Sequence, residues 1–347
     1  MPQGAPARAV AAQTGVNKDV MITESFPPQL PDPIQALYPF RIRTVHVASL
    51  EASRPQPGGS AGPYERMSFV DEGPENAPPL VLVHGNLTWS FLFRKLITEA
   101  RGHYRVIAPD LVGFGLSSKP RDAAYHTLER HTENLSQLIA ELKLPKMTLV
   151  LHGMAGVIGL RYAMRFPESV ARIVLINAWV HPQVADVSER LPFWPAMARS
   201  RMGFMLQHWT LTPFPALQWA AAKALEQPVR DGYGLPFQRG DQRVAPLAFA
   251  RLFQPNSRES QLAVMREMAP QIWNLPAKVQ ILWGQQDPTF RSKLLPYLLR
   301  DLLPHSGEPV FVPQASHLLP EDAPEVLAER VLETGRKQSN EPLFKIL

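Results

Sequence analysis

Short apolar runs recur along the chain, and each ends in a polar or glycine-containing turn. The runs are Leu80 to Val83, Arg105 to Ala108, Met147 to Leu151, Ile173 to Ile176 and Val279 to Leu282. Runs this short and this continuously apolar are typical of strands buried on both faces of a parallel sheet. Stretches with helical spacing follow most of them, namely Trp89 to Ala100, Leu128 to Leu142, Gly156 to Phe166, Arg291 to Leu302 and Pro324 to Glu333. Strands that alternate with helices predict an α/β fold with helices on both faces of the sheet.

The N-terminal part of the chain does not follow this alternation of strands and helices. Residues 1–35 mix Ala, Gln, Pro and isolated charges without periodicity, which predicts a disordered N-terminal arm. Arg43 to Ala48 and Arg66 to Asp71 then predict an antiparallel pair that opens the sheet, separated by a loop rich in Pro and Gly. The predicted α/β core takes up residues 36–176 and 276–340.

The alternation of short strands and helices also stops between residues 177 and 275. This stretch holds five of the seven Trp, and its helical pieces are interrupted by Pro192, Pro195, Pro213, Pro215, Pro228 and Pro236, so we interpret it as a mostly helical insertion. Ligands of open α/β sheets bind at the carboxyl ends of the strands, and the insertion is therefore predicted to form a helical cap over an apolar pocket there. Candidate pocket residues are Trp89, Trp179 and Trp194, although any one of these aromatics could serve packing alone.

Composition excludes several classes of protein. The 36 Lys+Arg against 31 Asp+Glu give a net charge of +5, but the basic residues are scattered, which disfavours nucleic-acid binding. The chain has no cysteine, so disulfides, thiolate catalysis and cysteine metal sites are excluded. No apolar run approaches the ~20 residues of a membrane span, and the N-terminus lacks the apolar core of a signal peptide. We therefore expect a cytoplasmic protein with no membrane span, and no pattern indicates a cofactor or a metal.

The stretch from Met147 to Arg165 joins a strand, a sharp turn and a helix. Small residues at Gly153, Ala155, Gly156 and Gly159 allow the helix to start directly against the strand. A turn of this kind can hold a residue in a strained conformation that is exposed above the sheet. Catalytic nucleophiles occupy such a turn, but here the turn residue is Gly153, which has no side chain.

Four stretches at the ends of predicted strands carry candidate chemistry. They are H-G-N-L-T-W-S-F-L-F-R from His84, R-V-I-A-P-D-L-V-G-F-G-L-S-S-K-P from Arg105, the turn at Gly153, and I-L-W-G-Q-Q-D from Ile281 paired with A-S-H-L-L-P-E-D-A-P from Ala315. Together they resemble the haloalkane dehalogenase branch of the α/β-hydrolase superfamily, over roughly residues 38–332. The motif G-Y-G-L-P-F from Gly232, with R-V-A and F-A-R-L-F after it, looks most like the group that includes the β-lactone decarboxylases of bacterial olefin biosynthesis.

The resemblance implies an α/β-hydrolase fold, with a mainly parallel sheet of about eight strands, and it implies roles for individual residues. His317 corresponds to the catalytic histidine and Asp287 to the acid that orients it. The order of nucleophile position, acid and histidine along the chain is the α/β-hydrolase order. Elsewhere in the family the acid follows the preceding strand, but that position here is Asn177. Asn86 corresponds to the residue that donates a hydrogen bond to the leaving group or oxyanion.

Two departures from the family pattern bear on activity. The family turn H-D-W-G-G is H-G-M-A-G here, so Gly153 replaces the Asp nucleophile and Met154 replaces the Trp that grips the halide. Loss of a nucleophile costs about 10⁶-fold in rate. The backbone N–H of Met154 remains available as an oxyanion donor, and His317 with Asp287 would still be a competent general base.

Three hypotheses remain open from the sequence. The protein could be an enzyme that uses the His317–Asp287 base on a small or long-chain apolar substrate without a covalent intermediate. It could be a catalytically silent pseudoenzyme that binds an apolar ligand or a partner. It could also perform ordinary dehalogenase or β-lactone decarboxylase chemistry, if Gly153 is a variant or engineered residue. Retention of His317 and Asp287 favours the first, and other enzymes of a biosynthetic assembly are candidate partners.

Overall fold

The computed structural model describes residues 22–24, 30–48, 64–178, 180, 214–252, 261–290 and 293–332. Nine strands in these ranges form one sheet. They are β1 (Ile22–Glu24), β2 (Ile42–Ala48), β3 (Tyr64–Glu72), β4 (Pro79–Val83), β5 (Arg105–Pro109), β6 (Met147–His152), β7 (Val170–Ile176), β8 (Lys278–Gly284) and β9 (Val310–Val312). Their order across the sheet is β1-β2-β3-β5-β4-β6-β7-β8-β9.

The sheet is mainly parallel, as the sequence predicts. Strands β1, β2 and β3 pair antiparallel, and β3 pairs antiparallel with β5. From β5 through β4 to β9 every pairing is parallel, for example with Val81 opposite Ile107. Parallel strands joined by helices bring all their carboxyl ends to one edge. The last residues of β4, β6, β7 and β8 therefore lead into loops on the same side of the molecule.

Helices flank this sheet. They are α1 (Asp32–Leu37), α2 (Arg94–Ala100), α3 (Leu128–Glu141), α4 (Ala155–Arg165), α5 (Phe214–Ala220), α6 (Gln227–Gly234), α7 (Val244–Leu252), α8 (Gln261–Ile272), α9 (Leu295–Leu302), α10 (Leu319–Asp322) and α11 (Pro324–Leu332). A 3₁₀ turn over Ser90–Phe93 precedes α2, where the sequence predicts one continuous helix.

Side chains of the central strands alternate between two cores. Along β4, Val81 and Val83 join one buried cluster, whereas Leu80 and Leu82 join the other. Successive side chains of a strand point to opposite faces, so a sheet covered on both sides needs apolar residues at every position. This explains why the sequence of β4 is continuously apolar rather than alternating.

Part of the predicted disordered arm is ordered, which corrects that prediction. The strand β1 pairs with β2, with Ile22 opposite Val45, and helix α1 buries Ile34. Pro33 lies in the first turn of α1, where its missing N–H removes no helical hydrogen bond. Both elements are stabilised by packing against the core rather than by local periodicity, which is why the pattern missed them. The rest of the arm, residues 1–21 and 25–29, lies outside the described residues.

The insertion between β7 and β8 is helical wherever the structure describes it. Residues 214–252 and 261–275 contain α5 to α8 and no strand. Residues 181–213 and 253–260 are outside the described ranges, so the predicted division into core and cap stays a prediction. In the part of the chain that the structure describes, no helix combines the length and the apolar character needed to cross a membrane.

Candidate active site

The turn between β6 and α4 has the geometry that the small residues predict. Gly153 has a φ of +56°, in the left-handed region that favours glycine. A Cβ at Gly159 would lie 2.4 Å from Leu151 Cδ1, and one at Gly156 would lie 2.9 Å from Ala178 Cβ. Only glycine allows α4 to approach the strands this closely, and only Gly153 and Met154 separate the end of the strand from the start of the helix.

Gly153 faces the imidazole of His317. A Cβ built on Gly153 would lie 3.6 Å from His317 Nε2 and 3.7 Å from Gly85 Cα, which are ordinary van der Waals distances. A side chain at this position would therefore fit and would point at the imidazole. Its cost would come from the backbone, because a left-handed conformation costs a non-glycine residue about 1–3 kcal/mol.

His317 and Asp287 form a hydrogen bond, as the predicted base and acid must. Nδ1 of His317 lies 2.9 Å from Asp287 Oδ2, and the carboxylate also accepts from Asn177 Nδ2 at 2.7 Å and from the amide of Thr289 at 2.7 Å. Burial by itself would raise the pKa of Asp287, but His317 and these donors hold that pKa below its usual value. The ionised carboxylate keeps the proton of His317 on Nδ1, which leaves Nε2 as the basic atom that faces Gly153.

Asn177 fixes the orientation of the acid. Its side chain donates to Asp287, and its Oδ1 accepts from the amide of Gly284 at 3.0 Å, so it joins the ends of β7 and β8. The backbone of Asn177 has a φ of +43°, which asparagine tolerates better than most residues. The sequence shows Asn177 only as a residue that is not the acid. Its role in holding the acid depends on a contact that no local pattern reveals.

His152 holds the backbone of the loop that carries His317. Its Nε2 lies 2.9 Å from the carbonyl oxygen of His317, so Nε2 donates, and the two rings lie 4.8 Å apart. Burial lowers the pKa of His152 to about 3, and the ring is therefore neutral at physiological pH. Its Nδ1 has no hydrogen-bond partner among the described residues. Sequence reasoning missed this contact.

The helical insertion also holds the His317 loop. Asp322 accepts from the amide of Ser316 at 2.8 Å and from that of Ala222 at 3.0 Å, while the amide of Leu318 donates to Ala220 O at 3.2 Å. These bonds tie both sides of His317 to the end of α5. A movement of α5 would therefore displace the imidazole.

A buried ion pair joins the same region to α2 and α6. Arg94 donates to both oxygens of Glu321, at 2.6 and 2.8 Å, and the hydroxyl of Tyr233 donates to Glu321 at 3.0 Å. Burial would raise the pKa of Glu321, but Arg94 keeps that pKa below its usual value. Glu321 follows His317 by four residues, so this pair anchors the far end of the loop.

The two predicted oxyanion donors, Asn86 and Met154, follow the ends of β4 and β6. Asn86 donates one amide hydrogen to Pro246 O at 3.1 Å, at the start of α7, and its Oδ1 accepts from the amide of Leu87. The second hydrogen of the amide remains available to a ligand. In the described part of the chain, the backbone N–H of Met154 has no acceptor. Both groups can therefore donate to an oxyanion.

Of the three tryptophans predicted to line the pocket, the structure describes only Trp89. Trp89 is fully buried, and its Nε1 donates to Gly232 O in α6 at 3.0 Å, so its indole N–H is used for packing the insertion on the core. Trp179 and Trp194 lie outside the described residues. Within the described ranges, no cluster of three His, Asp or Glu side chains could hold a metal ion.

Comparison with known proteins agrees with this geometry. Residues 78–324 match the α/β hydrolase fold family, and the chain belongs to that family. It is 31% identical over 300 residues to a haloalkane dehalogenase of Mycobacterium marinum, which covers 85% of this chain and 94% of the relative. It is 29% identical over 273 residues to a cis-3-alkyl-4-alkyloxetan-2-one decarboxylase of Shewanella oneidensis, which covers 76% of this chain and 83% of the relative.

Solved structures give the same fold. The tetrameric haloalkane dehalogenase DpaA from Paraglaciecola agarilytica superposes with a TM-score of 0.71 at 22% identity, over 88% of this chain and 97% of that one. The protein is thus a haloalkane dehalogenase-like α/β-hydrolase, and both kinds of relative named above are enzymes.

Proposed function

We propose that the protein is an enzyme that uses His317, oriented by Asp287, as a general base on an apolar substrate, without a covalent enzyme intermediate. The observation that carries the proposal is the pairing of a fully oriented imidazole with an empty nucleophile position. His317 Nε2 lies 3.6 Å from the place where a Cβ of Gly153 would stand, and glycine puts no side chain between the imidazole and a substrate.

The roles follow from the geometry of hydrogen bonds. Nε2 of His317 would take a proton from water, or from a substrate carbon next to a carbonyl group. Asp287 would stabilise the imidazolium that forms, without itself accepting the proton. The amide of Met154 and the free hydrogen of Asn86 would donate to the negative charge that develops on the substrate oxygen. The proton on Nε2 would then pass to the leaving group.

The substrate class is inferred from the surroundings of the base and from the relatives. Met154 is buried beside the turn, and the ring of Phe290 contacts His317 edge-on with centroids 5.5 Å apart. One of the relatives is named for an alkyl-substituted oxetan-2-one. A small or long-chain alkyl substrate is therefore the proposed class, with the helical insertion as a cap and Trp179 and Trp194 in its pocket. Association with other enzymes of a biosynthetic assembly and a cytoplasmic location stay predictions.

Isotope labelling distinguishes this mechanism from covalent catalysis. Purified protein would be screened with haloalkanes, esters, epoxides and β-lactones, and a substrate that is hydrolysed would then be turned over once in water enriched in ¹⁸O. Direct attack by water puts ¹⁸O into the product in the first turnover, whereas hydrolysis of an alkyl ester on a protein carboxylate puts it into the protein first. For a substrate that loses a proton from carbon, exchange of that hydrogen with deuterated water is the readout.

The control is His317→Gln, which keeps a polar side chain but removes the base. We expect turnover by the native protein to exceed that of His317→Gln by at least about 100-fold, as general-base catalysis contributes 10²–10⁴. The proposal fails if no substrate class separates the two proteins, or if the native protein forms a covalent adduct that mass spectrometry detects.

A further inference from the structure

We infer that Asp322 is a positioning residue for the general base, and that it makes the place of the His317 imidazole depend on helix α5 of the insertion. This inference rests on the proposed function and names a control of the same site. The carboxylate of Asp322 and the two amide groups that donate to it, those of Ser316 and Ala222, are together called the Asp322 clasp below.

The Asp322 clasp joins two segments that are far apart in the sequence. Asp322 Oδ2 accepts from the amide of Ser316 at 2.8 Å and from that of Ala222 at 3.1 Å, and Oδ1 accepts from Ala222 at 3.0 Å. Ser316 directly precedes His317, whereas Ala222 lies two residues beyond the end of α5. One carboxylate is therefore shared by the base segment and the insertion, and neither segment can shift without stretching a bond to the other.

The Asp322 clasp is buried, which makes its loss costly. Asp322 is 8% exposed and Ser316 is 1% exposed. Burial raises the pKa of Asp322, and the amides of Ser316 and Ala222 oppose that rise because they bind the ionised form. Hydrogen bonds to a carboxylate are roughly twice as strong as those between neutral groups. Without the carboxylate, the buried amide of Ser316 would need another acceptor, and the segment before His317 would have to move to reach one.

The other bonds around His317 leave this segment dependent on the clasp. Asp287 holds Nδ1 of the ring at 2.9 Å, and His152 holds the carbonyl oxygen that follows the ring in the chain. On the preceding side, a longer bond of 3.3 Å from the Ser316 hydroxyl to Gln286 O accompanies the clasp. Loss of the clasp should therefore displace the imidazole by a limited distance rather than release it.

The end of α5 has support of its own, so loss of the clasp should not unfold it. Gln218 Oε1 accepts from the amide of Leu225 at 3.1 Å, and its Nε2 donates to Lys223 O at 3.3 Å. Leu217 is buried in the same apolar cluster as Leu318. The clasp is therefore better suited to set the relation between α5 and His317 than to hold the insertion in place.

Turnover tests the positioning role. With a substrate from the screen described above, we expect Asp322→Ala to lower kcat by about 10–100-fold and to change KM less than about threefold, because a displacement of about 1 Å can cost 10²-fold in rate. Asp322→Asn keeps one acceptor oxygen and should lose less. The control is Asp122→Ala, which removes a carboxylate–amide bond of 2.9 Å in an exposed turn and should leave kcat unchanged.

Nuclear magnetic resonance reads the position of the ring without any substrate. The Nδ1 proton of His317, in its bond with the carboxylate of Asp287, should give a downfield ¹H signal. This signal should shift or broaden in Asp322→Ala, and the amides of Ser316 and Ala222 should exchange at least about tenfold faster with solvent. Asp322→Asn carries the same measurements if Asp322→Ala does not fold. A purely structural role would lower the midpoint of urea unfolding and leave both the signal and the kcat of the folded protein as they are.

A double-mutant cycle tests the route through α5. Leu217→Ala removes a buried contact of α5 and should lower kcat at least about threefold, because α5 then holds the clasp less firmly. In the background of Asp322→Ala, the same substitution should have a smaller effect, since the two changes act through one contact.

The outcomes separate this inference from the proposed function. An unchanged kcat or an unchanged His317 signal in the folded Asp322→Ala variant would overturn the inference, and a double variant whose loss equals the product of the single losses would remove the route through α5. Turnover that does not depend on His317 removes the proposed function, while the His317 signal still decides the role of Asp322. Base-dependent turnover that is equal in native protein and Asp322→Ala keeps the proposed function and removes this inference.

Discussion

Replacing Gly153 with aspartate should convert the protein into a covalent enzyme at a measurable cost in stability. The φ of +56° makes the variant less stable by about 1–3 kcal/mol, because a side chain is strained in that conformation. Steric clash adds little, since the nearest atom to the new Cβ is His317 Nε2 at 3.6 Å. The new carboxylate would stand opposite Nε2, where His317 can activate the water that hydrolyses an ester intermediate.

The gain in rate depends on the leaving group. Restoring a nucleophile to an otherwise complete site is worth up to about 10⁶-fold. Met154 cannot supply the donor that an indole would offer to a halide, whereas its backbone N–H can still stabilise an oxyanion. We therefore expect Gly153→Asp to act on strained lactones better than on haloalkanes.

The assay traps the intermediate. Gly153→Asp combined with His317→Ala should accumulate an aspartyl ester, because attack can occur while hydrolysis of the ester cannot. Mass spectrometry of the intact protein after a short exposure to a β-lactone, and separately to a bromoalkane, measures the adduct. Gly153→Ala is the matched control, since it has the same backbone strain and no carboxylate, and urea unfolding of both variants separates strain from charge.

Either of two results would refute this account. If Gly153→Asp folds with the stability of Gly153→Ala and forms no ester with either substrate, the turn does not present its side chain to a substrate. If Gly153→Asp is as stable as the native protein, the conformation of the turn is not strained as argued.

Three further predictions test the supporting structure. Arg94→Met removes the bidentate partner of the buried Glu321 but leaves Lys95 Nζ, 3.0 Å from Glu321 Oε1, and the Tyr233 hydroxyl, so it should lower the free energy of unfolding by about 1.5–3 kcal/mol in urea titrations, whereas Arg300→Gln, at an exposed ion pair, should not move the midpoint. Burial lowers the pKa of His126 to about 4 from 6.5, so below pH 6.5 the unfolded chain binds a proton that the folded chain does not. His126 should contribute a loss of up to about 3 kcal/mol as the pH drops from 6.5 to 4, in addition to the losses from the other buried histidines, and His126→Phe should lose that much less stability than the native protein. Asp287→Asn should lower base-dependent turnover by about 10⁴-fold, because the imidazole loses its tautomer and the stabilisation of its charge.

Each of these predictions has an outcome that contradicts it. An Arg94→Met variant as stable as the native protein would mean that Lys95 and Tyr233 satisfy Glu321 without the guanidinium. Equal acid sensitivity of native protein and His126→Phe would show that His126 does not resist protonation in the folded state. A fully active Asp287→Asn would remove Asp287 from the mechanism.

Much of the architecture could be predicted from local patterns. The central strands were identifiable because both faces of the sheet are covered, so every residue of a strand such as β4 must be apolar. Their order along the chain, together with glycines at 153, 156 and 159, predicts the turn and the tight contact of α4 with the strands. The short strand β1 was missed, since three residues carry too little periodicity and its stability comes from a neighbouring strand.

Part of the candidate site could also be predicted from local patterns, whereas the rest depends on contacts between distant parts of the chain. Residue types at strand ends determine that His317 and Asp287 meet, because parallel strands deliver their carboxyl ends to one edge. The sequence alone also shows that position 153 has no side chain. It does not show how the acid and the base are held, because Asn177 lies 110 residues from Asp287 and His152 lies 165 residues from His317. Contacts of this range depend on the distances and angles of the packed chain, so only the tertiary structure decided which side chains orient the base and that the N–H of Met154 has no acceptor among the described residues.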